Sequence, residues 1–303
     1  MKNNKVLIAG GSGLVGTFLS KLLTDHGFEV SILSRSPKKA SNYPIIYWNP
    51  AKGEIDQDQL KEFPFVVNLA GAGIADERWT SSRKEVIIQS RVQSNEILRE
   101  SYESLNWQPS LYLSASAIGI YGDRGEAIMT EESALGDGFL AKTSKIWEDA
   151  AELVPADRRA IVRIGIVLTN RGGALPQMMM PTKFGIGNYF NDGSQYTSWI
   201  HIEDLCQLFL WIIKNEEIAG VFNGVAPNAI TQKEWIKSIV KVHKKNSLIF
   251  PVPGFMIKLI LGEMAAVVIE GAHVSSGKIE STGFKFLYPK IEEALADIKE
   301  RNV

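Results

Sequence analysis

Three glycines near the N-terminus are spaced as they are in turns that bind the phosphates of a nucleotide. Gly10, Gly13 and Gly16 follow a short apolar run and precede apolar residues at helical spacing. In such a strand–turn–helix unit the first glycine permits a tight turn, the second lets the backbone approach a pyrophosphate, and the third lets helix and strand pack closely. The free N–H groups at the start of the helix then face the phosphates. The pattern predicts a dinucleotide site, with a ligand-free glycine turn as the alternative. Its cofactor contacts are expected from Gly10, Ser12, Gly13, Leu14, Val15 and Gly16.

The second predicted strand covers residues 28–33, and the residues that follow it indicate which dinucleotide binds. An acid at that place binds the ribose 2′-hydroxyl of NAD, whereas an arginine accommodates the 2′-phosphate of NADP. Glu29 opens the strand instead of ending it, and Ser34 and Arg35 follow the apolar run. A guanidinium holds a phosphate with a planar fork of N–H groups. Ser34 and Arg35 therefore predict NADP as the cofactor, with a solvated basic turn as the alternative.

Strand-length apolar runs alternate with helical patterns along most of the chain. This alternation is typical of βαβ units and predicts an α/β fold, a Rossmann-like doubly wound parallel sheet with a smaller C-terminal α/β substrate lobe. The NADP(H)-binding domain is expected over residues 1–169, with residues 200–224 returning to it. Residues 170–199 and 225–303 are expected to form the substrate-side lobe.

Local signals predict where individual elements begin and end. Ser82 and Glu85 form a capping box at the start of a long helix, and Thr231 and Glu234 form another. In a capping box each side chain satisfies a free backbone donor of the other residue. The sixth strand is expected to run unbroken over residues 159–168.

Bulk composition limits the classes of function. The 303 residues have a formal net charge of −1, which argues against nucleic acid or an anionic membrane as a main partner. No apolar run reaches the ~18 residues that span a bilayer, and the N-terminus does not resemble a signal peptide, so a cytoplasmic protein is expected. Cys206 is the single cysteine and the four histidines are far apart in sequence. No metal site is therefore expected.

Further segments resemble the extended short-chain dehydrogenase/reductase superfamily, in its sugar-nucleotide epimerase/dehydratase branch. They are Asn68-Leu69-Ala70-Gly71, Ser114-Ala115-Ser116, Tyr121-Gly122, Arg163 and the segment from Trp199 to Asp204. The resemblance implies that Leu69, Ala70, Gly71 and Arg163 contact the cofactor. It also implies a small-molecule substrate, and a homodimer through the long helices as one arrangement.

An atypical group of epimerase-like proteins with its own C-terminal domain is similar to this chain from end to end. The similarity is carried by AGAGIADERWT (70–80), SR (90–91), SASAIGIYG (114–122), GFLAKTSKIWE (138–148), RIGIVL (163–168), SWIHIED (198–204) and GFKFLYP (283–289). Together these segments are specific, and they imply an NADP-dependent oxidoreductase or epimerase.

The catalytic pair of the superfamily is missing. Its members use a tyrosine as proton donor and a lysine four residues later, one helical turn away. None of the eight tyrosines here is followed by lysine at that spacing. At the expected place the chain has Phe139 or Leu140 for the tyrosine and Thr143 or Ser144 for the lysine.

Three interpretations remain open for a chain without that pair. The first is an enzyme in which Tyr121 donates the proton and Ser116 binds the substrate oxygen, although Tyr121 could equally be a packing residue. In the second, the substrate or water handles the proton. In the third, the protein binds NADPH without turnover, as a redox sensor or regulatory scaffold.

The segment from 170 to 199 is expected to extend over the nicotinamide end of the cofactor. Met178, Met179 and Met180 would supply an adaptable apolar wall, or form a structural edge. Arg78 would either meet an anionic substrate or pair with Asp76 or Glu77. A small carbonyl compound and a sugar nucleotide both fit this description of the substrate.

Overall fold

A computed structural model describes residues 4–36, 41–243 and 247–303. Its strands in chain order are β1 Lys5–Ala9, β2 Glu29–Ser34, β3 Ile45–Asn49, β4 Glu54–Ile55, β5 Phe65–Asn68, β6 Leu111–Ala117, β7 Ile128–Met129, β8 Arg158–Ile164, β9 Ile166–Leu168, β10 Ile186–Phe190, β11 Tyr196–Thr197, β12 Trp199–His201, β13 Gly220–Gly224, β14 Ile230–Thr231, β15 Leu248–Val252 and β16 His273–Val274.

The helices alternate with these strands through the first two thirds of the chain and dominate the last third. In chain order they are α1 Leu14–Asp25, α2 Ser81–Leu105, α3 Gly138–Glu152, α4 Ala174–Met179, α5 Ile202–Lys214, α6 Gln232–His243, α7 Gly254–Leu261, α8 Ala266–Ile269, α9 Gly277–Ser281 and α10 Ile291–Arg301. Among the described residues, no helix is both long and apolar enough to cross a membrane.

The central sheet has the predicted doubly wound, mainly parallel topology. In the described part of the chain eight strands lie in the order β13-β8-β6-β5-β1-β2-β3-β4, and only the pairing of β3 with β4 is antiparallel. The chain moves outward from β1 through β2 and β3, then crosses back to β5 on the other side of β1. Ligands of such sheets bind outside the carboxyl ends of the strands where the order reverses. That place is the carboxyl end of β1.

Helices cover both faces of the sheet, which explains why its strands are apolar on both sides. On one face α1 and α5 pack together, with Leu19 and Phe209 in the same buried cluster. On the other face α2 and α3 pack together, and Leu98 and Ala151 share a second cluster. The predicted homodimer through α2 and α3 stays a prediction.

The smaller lobe has a core of its own. Trp235 of α6 and Leu295 of α10 belong to one buried cluster. The predicted capping box at α6 is confirmed, since the backbone N–H of Thr231 donates to Glu234 and that of Glu234 donates back to the Thr231 hydroxyl. Asp204 of α5 accepts hydrogen bonds from the backbone N–H groups of Leu287 (2.7 Å) and Tyr288 (3.0 Å). Asp204 therefore ties α5 to the lobe.

Two local predictions are wrong. The N-cap of α2 is Thr80, whose hydroxyl accepts from the backbone N–H of Arg83, and the predicted cap Ser82 lies inside the helix. The sixth strand is broken at Gly165, where a Cβ would lie 2.7 Å from the Ser198 carbonyl oxygen. The chain leaves the central sheet there, and β9 pairs with β12 instead. Only glycine fits this crossing because the backbone at Ser198, just before β12, passes so close.

Candidate nucleotide-binding site

The glycine turn has the shape that its spacing predicts. Gly10 has φ +77°, and a Cβ there would lie 2.8 Å from the carbonyl oxygen of Leu69. A Cβ on Gly16 would lie 2.3 Å from the Gly10 carbonyl oxygen. The turn is closed by the Gly13 N–H, which donates to Gly10 O at 2.9 Å. Gly10 and Gly16 are therefore required by the fold itself.

Gly13 is different, because it faces outward. Ser12 and Gly13 are exposed, and Gly13 is the N-cap of α1 with no side chain satisfying the first N–H groups. No acidic residue lies in the first turn of α1. The free N–H groups and the helix dipole make this helix start an anion site. A backbone cradle whose N–H groups are not capped by a side chain fits a pyrophosphate.

The remaining predicted cofactor residues flank the turn. The register pairs Ala9 of β1 with Leu33 of β2 on one side and with Asn68 of β5 on the other. Ser34 and Arg35 therefore lie beside the turn at the end of β2, and Arg35 is exposed. Leu69, Ala70 and Gly71 lie on the other side, after β5. Residues 37–40, the rest of the basic turn, lie outside the described residues.

Asn68 fixes the Leu69–Gly71 segment, although the sequence alone marks it only as part of a motif. It is fully buried, and its Oδ1 accepts from the Ala70 N–H at 3.0 Å. Its Nδ2 donates to the Tyr112 hydroxyl at 2.9 Å. These bonds hold Ala70 against the glycine turn, because a buried amide with fixed partners locks the loop that follows it.

The predicted catalytic residues lie farther along the sheet edge, in a buried network. The Ser116 hydroxyl donates to Glu148 Oε1 at 2.6 Å. Arg163 donates from Nε and Nη2 to the two Glu148 oxygens, both at 2.9 Å. Its Nη1 donates to the Tyr121 hydroxyl at 2.9 Å, and that hydroxyl donates to Asn223 Oδ1 at 2.6 Å.

This network argues against the roles predicted for its members. Tyr121 has no exposed surface, and Ser116 and Arg163 are 2% and 6% exposed. Burial raises the pKa of the Tyr121 hydroxyl, while its bonds to Arg163 and Asn223 act in the opposite direction. The proton of Tyr121 already has an acceptor and the guanidinium of Arg163 is already paired. In this arrangement neither Tyr121 nor Ser116 presents its hydroxyl to a substrate, and Arg163 is committed to Glu148 rather than to a cofactor.

The place of the missing tyrosine and lysine is filled by packing residues. Phe139 lies edge-on to Trp79, with ring centroids 4.8 Å apart. Thr143 and Ser144 are buried, while Lys142 and Lys145 are exposed and Lys145 pairs with Asp149. These residues provide no titratable group at the positions where the superfamily has its acid.

The residues predicted to line the substrate are mostly internal. Met178 and Met179 pack against the core of the smaller lobe. The Trp199 indole donates to the Asn228 carbonyl and Trp199 is fully buried. Asp76 and Glu77 lie 3.4 and 3.5 Å from Arg83, so the pairing predicted for Arg78 is made by Arg83 instead.

Family models match two parts of the chain. Residues 6–145 match the NAD dependent epimerase/dehydratase family. Residues 252–298, in the smaller lobe, match a domain of unknown function (DUF1731). The glycine turn and the residues that flank it, Ser34, Arg35 and Leu69 to Gly71, lie within the first match.

Similar proteins extend over nearly the whole chain. Epimerase family protein YfhF of Bacillus subtilis is 34% identical over 299 residues, which cover 97% of each chain. The crystal structure of human epimerase family protein SDR39U1 (isoform 2) with NADPH has a TM-score of 0.87 at 30% identity, covering 98% of this chain and 99% of that one. The nucleoside-diphosphate sugar epimerase of Corynebacterium glutamicum has a TM-score of 0.77 at 32% identity, covering 97% of this chain and 58% of that one.

Proposed function

Because this chain belongs to the NAD-dependent epimerase/dehydratase family and is similar to its epimerase family proteins, we propose that it is an NADP(H)-dependent oxidoreductase or epimerase. Its substrate would be a small carbonyl compound or a sugar nucleotide. The observation that carries the proposal is the exposed start of α1, whose first N–H groups are capped by no side chain, flanked by Arg35 at the end of β2. The NADPH bound by the human relative supports the same nucleotide.

Each predicted cofactor residue except Arg163 has a place in this proposal. The N–H groups of Ser12 to Val15 would bind the pyrophosphate, while Gly10 and Gly16 keep the turn closed. Arg35 and Ser34 would bind the 2′-phosphate. Leu69, Ala70 and Gly71 would form the opposite wall. When bound, NADP(H) supplies or accepts a hydride, and the protein residues orient it and exclude water.

Dinucleotide titration tests the proposed cofactor. NADPH is expected to bind about 10–100-fold more tightly than NADH, because a charge-assisted hydrogen bond contributes about 1.5–3 kcal/mol. Arg35→Asp should remove that preference and leave NADH binding nearly unchanged. Equal affinity of the wild type for NADPH and NADH, measured by fluorescence, would contradict the assignment of Arg35.

The buried network favours a second candidate function. Tyr121 and Ser116 are committed to internal partners, so an NADPH-binding protein without turnover, acting as a redox sensor, is supported by the same geometry. Such a protein must change a surface when the nucleotide binds, because a ligand acts only through different affinities for two states. A panel of carbonyl compounds and sugar nucleotides, followed by NADPH absorbance, separates the two functions. If no substrate is consumed, slower hydrogen exchange of residues 185–198 on NADPH addition would support the sensor.

A further inference from the structure

Exposed apolar side chains are concentrated in one part of the smaller lobe. Among the described residues, fifteen large hydrophobic side chains are exposed, and nine of them lie in two short segments, residues 180–190 and 248–260. Exposed apolar residues that cluster in this way mark interaction sites, whereas single ones do not. Together the nine form the apolar surface of the smaller lobe: Met180, Phe184, Ile186, Leu248, Phe250, Phe255, Met256, Leu259 and Ile260.

Part of this apolar surface is the outer face of the two-stranded sheet β10–β15. Side chains alternate between the two faces of a strand. A Cβ on Gly187 would lie 3.0 Å from the Ile236 side chain of α6, so α6 covers the inner face. Ile186 and Leu248 are neighbours across the two strands and lie with Phe250 on the other face. All three are exposed, so no described element covers the outer face.

The helix that follows the sheet, α7, exposes a second part of the surface. It begins two residues after the end of β15, and the Gly254 N–H donates to Asn191 Oδ1, just after β10, at 2.8 Å. Of the eight residues of α7, only Gly254 is buried. Residues four apart lie on the same face of a helix. The exposed pairs at this spacing are Phe255 with Leu259 and Met256 with Ile260.

The free edge of β15 is unsuited to the addition of another strand. Leu248 directs its N–H and Val252 its carbonyl toward the residues that flank β10. Alternate residues of a strand in a parallel pair bond to the same neighbour, so Ile249 and Pro251 direct their backbone groups toward the open edge. Proline has no N–H, and a proline at an edge prevents continuous pairing. A partner of this surface therefore binds to its side chains and not to its backbone.

The segments that form the apolar surface are also basic. Residues 180–191 and 235–262 contain six lysines and none of the 34 acidic residues of the chain. Lys183 and Lys258 lie within the apolar surface and are exposed. The next acids along the chain are Asp192 and Glu263, and Glu263 pairs with Lys84 of α2. The net charge of −1, which argues against an anionic membrane as partner, averages over this asymmetry.

Charge and shape together limit what can cover the surface. In a two-fold symmetric dimer the same patch meets itself, so the lysines of two copies would face one another with no acid between them. Like charges brought together in this way oppose association. Phe184, Leu248, Phe255 and Leu259 are 71–80% exposed, so they project from the protein instead of lining a groove that receives a peptide. Projecting apolar side chains beside lysines match an anionic surface with an apolar interior.

We propose that the apolar surface of the smaller lobe binds an anionic phospholipid bilayer. The apolar side chains of α7 and of the β10–β15 face would enter the boundary between headgroups and acyl chains, as in proteins that lie on a membrane. Lys183 and Lys258 would keep their ammonium groups among the lipid phosphates, because a lysine can bury its stem and leave its charge in water. This inference goes beyond the proposed function, since no nucleotide contact enters it.

Sedimentation with lipid vesicles tests the electrostatic part. The wild type should sediment with vesicles of equal parts phosphatidylcholine and phosphatidylglycerol, and added salt should release it. The double variant Lys183→Gln, Lys258→Gln should bind about 30-fold more weakly, because each lysine near an anionic surface contributes about 1 kcal/mol. Equal binding of the wild type to pure phosphatidylcholine, or no binding to the anionic vesicles, would overturn the proposal.

Variants of α7 test the apolar part. The double variant Phe255→Ser, Leu259→Ser should lose at least about 10-fold in affinity for the anionic vesicles, since burying one such side chain contributes about 1.5–3 kcal/mol. The matched control is Leu153→Ser, which changes an exposed leucine at the end of α3 and should bind as the wild type does. Both side chains of α7 are exposed, so the melting temperature should stay close to that of the wild type. Equal losses in the α7 variant and the control would overturn the assignment to α7.

Two further outcomes would assign the surface to another partner and refute the bilayer. One is a dimer, seen by analytical ultracentrifugation, that Leu259→Ser dissociates while the wild type ignores the vesicles. The other is binding of an acidic amphipathic peptide by a wild type that does not sediment with the vesicles. Neither measurement uses a nucleotide, so failure of the proposed function leaves this test unchanged.

Discussion

The polar groups at the two halves of the sheet edge differ in whether they have hydrogen-bond partners within the protein. At the ends of β1, β2 and β5 the polar groups are the uncapped backbone N–H groups at the start of α1 and the exposed side chain of Arg35. At the ends of β6, β8 and β13 the polar groups are side chains, and Ser116, Glu148, Arg163, Tyr121 and Asn223 satisfy one another. Buried polar groups need partners, and those of the second region find them within the region, whereas the exposed N–H groups of the first are open to water or to a ligand. The contrast is consistent with the proposed nucleotide site at the first region, and in the second region the hydroxyl protons of Ser116 and Tyr121 already have acceptors.

Removal of Glu148 should give the largest effect on stability. Glu148→Ala leaves the buried charge of Arg163 unpaired, which costs about 3–5 kcal/mol of unfolding free energy. Glu152→Ala, an exposed position on the same helix, should cost less than about 0.5 kcal/mol. Urea denaturation measures both. Equal unfolding free energies for the two variants would mean that Glu148 does not stabilise the buried charge of Arg163.

Gly13→Val should weaken nucleotide binding and leave the fold intact. Gly13 has φ −78°, which valine tolerates, and a Cβ there meets only Gly10 O at 3.1 Å, so the fold should survive. NADPH affinity should fall by at least about 100-fold, or about 2.7 kcal/mol, because the side chain occupies the approach of the pyrophosphate. Gly16→Val is the contrasting variant and should fail to fold, since its Cβ would overlap Gly10 O. Normal NADPH binding by folded Gly13→Val would show that the site is elsewhere.

Tyr121→Phe separates a structural hydroxyl from a catalytic one. It removes the donor to Asn223 and an acceptor of Arg163, so unfolding free energy should fall by about 1–3 kcal/mol while NADPH affinity stays unchanged. Tyr196→Phe, whose hydroxyl has no hydrogen bond among the described residues, should cost less than about 0.5 kcal/mol. A turnover that falls ~10²–10⁴-fold with unchanged stability would restore Tyr121 as the proton donor.

His201 should contribute a smaller, pH-dependent effect. Burial lowers its pKa to about 4, against about 6.5 in an unfolded chain. Between these values the unfolded state binds the proton and the folded state does not, so stability present above pH 6.5 is lost as the pH falls. The stability advantage of the wild type over His201→Gln should shrink by about 1–2 kcal/mol from pH 7.5 to 5. Asp204 titrates in both proteins, so its contribution cancels in this difference, and a constant difference would mean that folding leaves the pKa of His201 unchanged.

The parts of the molecule that sequence predicts well are those set by neighbours along the chain. The glycine turn and the capping box at Thr231 each depend on residues within a few positions of one another. The polar network does not, since Glu148 is 15 residues from Arg163 and 32 from Ser116. The sequence does not identify the N-cap of α2, because Thr80, Ser81 and Ser82 all have a hydroxyl. Only tertiary packing decides which one starts the helix.

The place of β13 in the sheet affects how the chain can fold during synthesis. Its pairing partner β8 ends before the excursion into the smaller lobe, and Ala160 pairs with Gly220, 60 residues later in the chain. Until residue 224 has left the ribosome, β8 is an edge strand with unpaired N–H and C=O groups and apolar side chains. A nascent chain halted within that interval offers a ready template for aggregation, and a fragment that ends near residue 169 has the same open edge permanently.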